Sequence, residues 1–303
     1  MSMPLFSRAR LLWKRATAPT RHVARRLVPM PLVMGRVRRI WRRTDVQEWP
    51  PESLAGRPGL ERFEYALFSQ NGEDGILRHV FAEIGFATRR FVEFGFSTNQ
   101  NNSLRLVLHE RFGGLFLDAS DWQVDRFNRA ARSLGIDSTR AVRRFLTRES
   151  LEQTLVNEGV PAEIDLLSID VDGNDFWFWE AIERVSPRVV VVEYNAALGP
   201  DLSLTMPYAE AGRPADDAPH HFGYFGASLA ALVRLGRRKR MSLVGCDASG
   251  TNAFFVRDDC LTPHLRPVDA SEAFRPNAGL LRIGLSLTEQ IARARRSPFV
   301  EIA

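Results

Sequence analysis

"RFVEFGFSTNQNN", residues 90–102, begins as a buried strand and ends as a polar turn. An apolar run that stops at Glu93 and Gly95 reads as the first strand and turn of a nucleotide-binding α/β domain. The turn lacks the second and third glycines of G-x-G-x-x-G and carries Ser97, Asn99, Asn101 and Asn102 instead. A helical pattern, "NNSLRLVLHERFG", starts immediately after it. The polar turn therefore lies where a strand end meets a helix start.

Outward from this turn the periodicities alternate. "FSQNGEDGILRHVFAEIG" places Ile76, Leu77, Val80, Phe81 and Ile84 at helical spacing, with Ser69 as the expected N-cap. "GLFLDAS" (114–120) is a strand ending in Asp118, followed by a helix at about 122–134 and a strand-like "STRAVRRFLT". "SLEQTLVNEG" (150–159) is helical, "EIDLLSIDVDGND" is a strand that stops at a group of acids, and "FWFWEAIERV" continues as a helix. "RVVVVEYNAAL" is apolar on both faces, as a central parallel strand should be. "SLAALVRLGRRKR", "MSLVGCD" and "NAFFVRDD" add a last helix and two strands. This alternation predicts a doubly wound α/β sheet with helices on both faces and ligand chemistry at the strand C-termini.

Hydrophobic content of 45% and charged content of 25% place the 303-residue chain among ordinary globular proteins, with enough length for one large domain or two small ones. The net charge of +5 hides an asymmetry. Of the 41 basic residues 12 lie in residues 1–43, which contain no acid, while the rest of the chain has 29 basic against 36 acidic residues. The basic arm reads as an amphipathic segment for a membrane interface, as a solvated tail, or as a targeting peptide. "LVPMPLVMG" is too short and Pro-broken to span a bilayer. "EWPPESLAGRPG" (48–59) reads as a linker, which divides the chain into an arm and linker (1–60), a folded domain (61–260) and a C-terminal extension (261–303). Cys246 and Cys260 form neither a disulfide framework nor a zinc pattern. The expected compartment is the cytoplasm, with peripheral membrane contact through residues 1–43 and no nucleic-acid partner.

Eight ordered blocks carry a resemblance: "FSQNGEDGIL", "FVEFGF", "NNSLRL", "GLFLDAS", "LLSIDVDGND", "VVVVEYNA", "YFGASLAAL" and "GTNAFFVR". Over roughly residues 65–257 the chain resembles FkbM-like class I methyltransferases. The resemblance implies a Rossmann-like methyltransferase sheet, S-adenosylmethionine as cofactor, and methyl transfer to oxygen on a glycan or another polar metabolite. The glycine-poor first turn departs from the dinucleotide pattern. S-Adenosylmethionine has no phosphate, so the backbone need not approach a bulky anion.

On this reading Glu93 neutralises the cationic head group and Gly95 leaves space beside the strand. Free amides at the helix start, with Asn101 or Asn102, receive the methionine carboxylate, and Asn as a helix cap is the plain alternative. Asp118, 23 residues after Gly95, accepts from ribose hydroxyls. Asp170, Asp172 and Glu193 are the expected catalytic carboxylates, open to work as general base, amino-group acceptor or metal ligand. Asp175 reads as a helix cap. Asn195, Tyr208 and His221 are expected at the substrate, the last two on a long loop from 199 to 229. A divalent metal is compatible with the acids and is not assigned. Two rivals stand beside this reading: a metal-dependent glycosyltransferase in which Asp170-Val171-Asp172 is a D-x-D, and a non-catalytic Rossmann-like binding module.

Overall fold

The computed structural model describes Gly35, Val37, Trp41 and residues 56–211 and 223–303. The rest of the basic arm and the two loop histidines, His220 and His221, lie outside the described residues.

Seven strands form one sheet: β1 (Arg90–Phe94), β2 (Gly113–Asp118), β3 (Thr139–Arg143), β4 (Glu163–Ile169), β5 (Ser186–Glu193), β7 (Met241–Cys246) and β8 (Asn252–Arg257). Their order is β3-β2-β1-β4-β5-β8-β7. The first five are parallel, β8 runs antiparallel to β5, and β7 antiparallel to β8. The chain winds outward from β1 through β2 and β3, then returns to β4 on the opposite side of β1. The adjacent C-termini of β1 and β4 are therefore the topological switch point, where a sheet of this kind opens a crevice for ligands. The doubly wound α/β architecture expected from the alternation is present.

Valine is β-branched and fits a pleated surface buried on both faces, and Val189 to Val192 of β5 are fully buried. Val190 and Val192 join an apolar cluster with Val92, Phe94, Leu167 and Trp179 on one face. Val189 and Val191 join Phe91, Leu166, Phe116 and Phe254 on the other. The helices covering the faces are α1 (Glu73–Ile84), α2 (Leu104–Glu110), α3 (Asp121–Ser133), α4 (Leu151–Asn157), α5 (Asp175–Ala181) and α6 (Leu229–Arg238). Helix α1 begins later than expected, with Gly72 at its N-cap. Ser69 nevertheless accepts from the Asp74 amide at 3.0 Å, while the Asp74 carboxylate folds the preceding loop back by accepting from the amides of Leu67, Phe68 and Ser69.

The chain beyond residue 260 returns to the sheet. It forms α7 (Ala270–Ala273), α8 (Ala278–Arg282), α9 (Leu287–Ala294) and β9 (Val300–Glu301), which pairs with the two-residue strand β6 (Leu204–Thr205). The Tyr194 hydroxyl donates to the Arg275 carbonyl at 2.8 Å and accepts from its amide at 3.1 Å, fastening this segment beyond the end of β5. Among the described residues no helix is long and apolar enough to cross a membrane.

At the opposite edge of the sheet one carboxylate orders the entry to β1. Asp165, fully buried on β4, accepts from the backbone amides of Ala87, Thr88 and Arg89 and from the Arg188 guanidinium at 2.9 Å. Removing one member of a buried pair leaves the other charge uncompensated. Asp165→Ala is expected to lower unfolding free energy by about 3–5 kcal/mol in urea titrations. A loss below about 1 kcal/mol, the range of exposed pairs, would show that this anchor contributes little.

Candidate functional site

The turn after β1 is built by close packing at the switch point. Gly95 has φ +69°, and a Cβ there would stand 1.6 Å from the Asp170 carbonyl oxygen. Only glycine accepts both the left-handed backbone and that contact. Its amide donates to the Leu117 carbonyl, and the Asp170 amide donates to Phe94, so the two strand ends stay together past the sheet. Gly95 thus serves backbone packing at the switch point. Beyond it Ser97 and Gln100 exchange backbone hydrogen bonds. Phe96 packs on Phe116 and Phe127, with ring centroids 4.9 and 5.5 Å away.

The start of α2 differs from expectation. Glu93 is buried, and its two carboxylate oxygens accept from the amides of Asn102 (3.0 Å) and Ser103 (2.9 Å). Asn101 Oδ1 accepts from the Leu104 amide at 2.8 Å, and its Nδ2 donates to the Ser97 carbonyl. The amides expected to receive a ligand carboxylate are therefore occupied from within the fold. Asn101 thus bonds the first residue of α2, whose N-cap is Ser103, and Asn102 ties α2 to β4 through Nδ2 donating to Ser168 Oγ at 3.0 Å. Glu93, Asn101 and Asn102 shape the turn and do not present free groups. The turn's open polar group is another residue: Asn99 Oδ1 is buried without a hydrogen-bond donor among the described residues. Its place in the polar run was the signal for it.

Asp118 ends β2 half-buried, and its Oδ1 accepts from the Ser120 amide at 2.6 Å. This Asx turn holds the carboxylate at the sheet's C-terminal edge, one strand away from Gly95.

The "DVDGND" loop is organised by Asp175. Its carboxylate, fully buried, accepts from the Val171 and Gly173 amides, each at 2.9 Å. Asp172 takes φ +55°, a left-handed conformation that Asp tolerates better than most residues. Asp170 and Asp172 remain exposed and Glu193 half-buried, with one oxygen of each lying within 4.8 Å of the others. The three expected catalytic carboxylates are thus brought together from the ends of β4 and β5. An all-oxygen donor set of this kind fits a hard divalent cation.

Further buried acids lie on neighbouring segments, of which Glu73 acts on Asp170. Glu73 is buried and accepts from Asn71 and from Asn252 Nδ2 of β8 at 2.7 Å. Asp247, fully buried, accepts from the amides of Thr251 and Asn252, and buried Glu64 accepts from the Ala248 amide. Their signal, the acids of "QNGED" and "CDASG", reads equally well as helix-start and turn chemistry. Asp170 is exposed at the end of β4, while the protein around it partly desolvates its carboxyl. That desolvation, then the charges of Asp172, Asp175, Glu93 and Glu73, hold its pKa well above the ordinary value. Burial likewise raises Glu93 to about 7, against the amides of α2 that favour its charge. Burial raises Asp175 to about 6, Asp247 to about 7 and Glu64 to about 8.

Two expected substrate residues have other tasks. Asn195 is buried, its Oδ1 accepting from the Ala197 amide and its Nδ2 donating to the carbonyls of Gly223 and Phe225. Its amide is spent on closing the chain after β5, which corrects the substrate role. Tyr208 lies beside the acid loop, since the next residue, Ala209, exchanges hydrogen bonds with Asn174. Its hydroxyl, however, accepts from the Arg148 amide at 2.9 Å and turns toward Glu149. His221 falls outside the described residues.

No family model matches the chain, and no curated protein does. Similar solved structures include an O-methyltransferase from Bacillus cereus in complex with SAH. It is 16% identical with a TM-score of 0.42, over 80% of this chain and 97% of that one. The N-terminal domain of EvdMO1 with SAH bound is 13% identical with a TM-score of 0.42, over 76% of this chain and 95% of that one. A SAM-dependent methyltransferase from Aquifex aeolicus is 10% identical with a TM-score of 0.36, over 59% and 87%. Two of these three are described as methyltransferases and two were solved with SAH bound; at such identities and TM-scores the likeness assigns no activity to this chain.

The raised carboxyl groups give stability an unusual pH dependence. Each folded pKa lies above its unfolded value, so between about pH 4 and 8 the native state binds more protons than the unfolded chain. Unfolding free energy then falls as pH rises through that window. With no cation or ligand added, the urea midpoint is expected to be lower at pH 8 than at pH 5.5. A higher midpoint at pH 8 would contradict the assignment of these groups.

Proposed function

We propose that this chain is an S-adenosylmethionine-dependent methyltransferase, of the FkbM-like kind its sequence blocks resemble, acting on oxygen of a glycan or another polar metabolite. The observation that carries the reading is the cluster of acids at the switch point: one oxygen each of Asp170, Asp172 and Glu193 lies within 4.8 Å of the others. Such a cluster disfavours the pyrophosphate of a dinucleotide and suits a ligand bearing a sulfonium and an ammonium group. Asn99 Oδ1, buried without a donor, supports a ligand that brings N–H or O–H groups to the same turn.

S-Adenosylmethionine, when bound, supplies a methyl group on a cationic sulfur. The chain's own residues supply the rest. Asp118 accepts from vicinal hydroxyls, for which a two-oxygen carboxylate is suited. Asp170 accepts from the amino group. Asp172 or Glu193 takes the proton that the acceptor hydroxyl gives up, the two standing together at the ends of β4 and β5.

A second reading has one observation in its favour. The triple of Asp170, Asp172 and Glu193 also fits a divalent ion on a sugar diphosphate, the glycosyltransferase case. Glu93 does not discriminate between the two, because it holds α2 in either. Nor does Asp118, since a UDP-sugar brings the same ribose hydroxyls to the end of β2; the two readings are separated by which ligand binds.

Asp118→Ala is expected to weaken S-adenosylmethionine binding by roughly 1.5–3 kcal/mol, the worth of hydrogen bonds to a charged acceptor. Asp172→Asn and Glu193→Gln should keep most of that affinity and lower turnover by about 10²–10⁴, the usual contribution of a general base. Calorimetry checks the first, and radiolabelled methyl transfer to a library of sugars and polar lipids checks the second. Binding of a UDP-sugar with manganese, and none of S-adenosylmethionine, would favour the glycosyltransferase instead.

A further inference from the structure

The segment ahead of the domain reaches the turn between β1 and α2. Val37 is fully buried and Trp41 nearly so. The Trp41 indole N–H donates to the Thr98 carbonyl at 3.1 Å, across 57 positions of sequence. Its ring lies 5.1 Å from that of Phe127 on α3, which in turn packs on Phe96 at the start of the turn. Thr98 is fully buried and held from its other side by Gln123, whose Oε1 accepts from the Thr98 amide at 3.3 Å and from its hydroxyl at 3.1 Å. The next residue is Asn99, with its buried acceptor lacking a donor. Thr98 is thus gripped by two side chains from outside its own segment, immediately before the open polar group of the turn.

We infer that Trp41 is a positioning residue for this turn, so that seating of the segment around Trp41 and occupation of the site are energetically coupled. The inference rests on the cofactor reading of the turn. Its physical content is modest and specific: one indole hydrogen bond fixes the carbonyl of Thr98, and with it the approach of Asn99. Coupling of this kind is reciprocal, so a ligand that needs the turn in place must also favour seated Trp41.

The test uses the full chain with S-adenosylhomocysteine as probe. Trp41→Phe keeps a ring against Phe127 and removes the donor. Hydrogen exchange in the unliganded variant is expected to quicken in the peptide spanning 96–103 and to stay unchanged in β4 and β5. The dissociation constant of the probe should rise about three- to tenfold, the effect of one hydrogen bond. In the wild-type chain, which needs no substitution, the probe should slow exchange in the peptide containing Trp41. If the wild-type binds the probe and Trp41→Phe binds it equally well, the coupling is wrong while the cofactor reading stands. Faster exchange of 96–103 with unchanged affinity has the same consequence, leaving Trp41 a packing residue. A folded wild-type chain that binds no probe removes the cofactor reading and this coupling together.

Discussion

Where β1 and β4 leave the sheet, the Gly95 backbone and the Asp170 carbonyl approach so closely that no side chain fits between them. That contact sets the geometry of everything beyond it. It holds two strand ends side by side while their chains turn to opposite sides, one toward α2 and one into the acid loop. The turn of residues 95–102 can then be short and internally bonded, and Asp170 stands beside it at the end of β4. Any residue larger than glycine at position 95 would have to part the strands, and with them the acids of β4 and β5.

The second constraint is electrostatic. Carboxylates gathered in a partly desolvated place raise one another's pKa, and each is less stable charged than it would be in water. The chain satisfies most of them with backbone amides: Asp74 with the 67–69 loop, Glu93 with α2, Asp175 with its own loop, Asp247 with the turn before β8. The amide-bound carboxylates shape the loops, while Asp170, Asp172 and Glu193 stand together at the ends of β4 and β5.

Much of the fold was legible because it follows from periodicity. Four valines between polar ends can hardly be anything but a central strand, and the helix–strand alternation around them leads to a doubly wound sheet. The three carboxylates were legible for a related reason, since acids placed directly after buried strands have the crevice before them. What could not be read were hydrogen bonds between distant segments. Glu93 looked like a ligand group, yet its partners are the amides of Asn102 and Ser103, whose position depends on the turn between. Asn195 looked exposed to substrate, yet the chain returning at Gly223 and Phe225 covers it. Trp41 was hidden in a segment whose charge suggested an arm, because burial of one indole leaves no mark on composition. The helices after residue 260 are short, and their ties, such as Tyr194 to Arg275, are likewise tertiary.

The central claim is that an acid-lined cleft at the switch point takes a cationic cofactor. Calorimetric titration with S-adenosylmethionine at pH 6.5, in two buffers of different ionisation enthalpy, measures it directly, because the cofactor's own amino group stays protonated there. Bound positive charge favours the ionised form of carboxyl groups whose pKa is raised. The account predicts net release of protons on binding and tighter binding at pH 7 than at pH 6. Net proton uptake, or an affinity indifferent to pH with no proton exchanged, would contradict it.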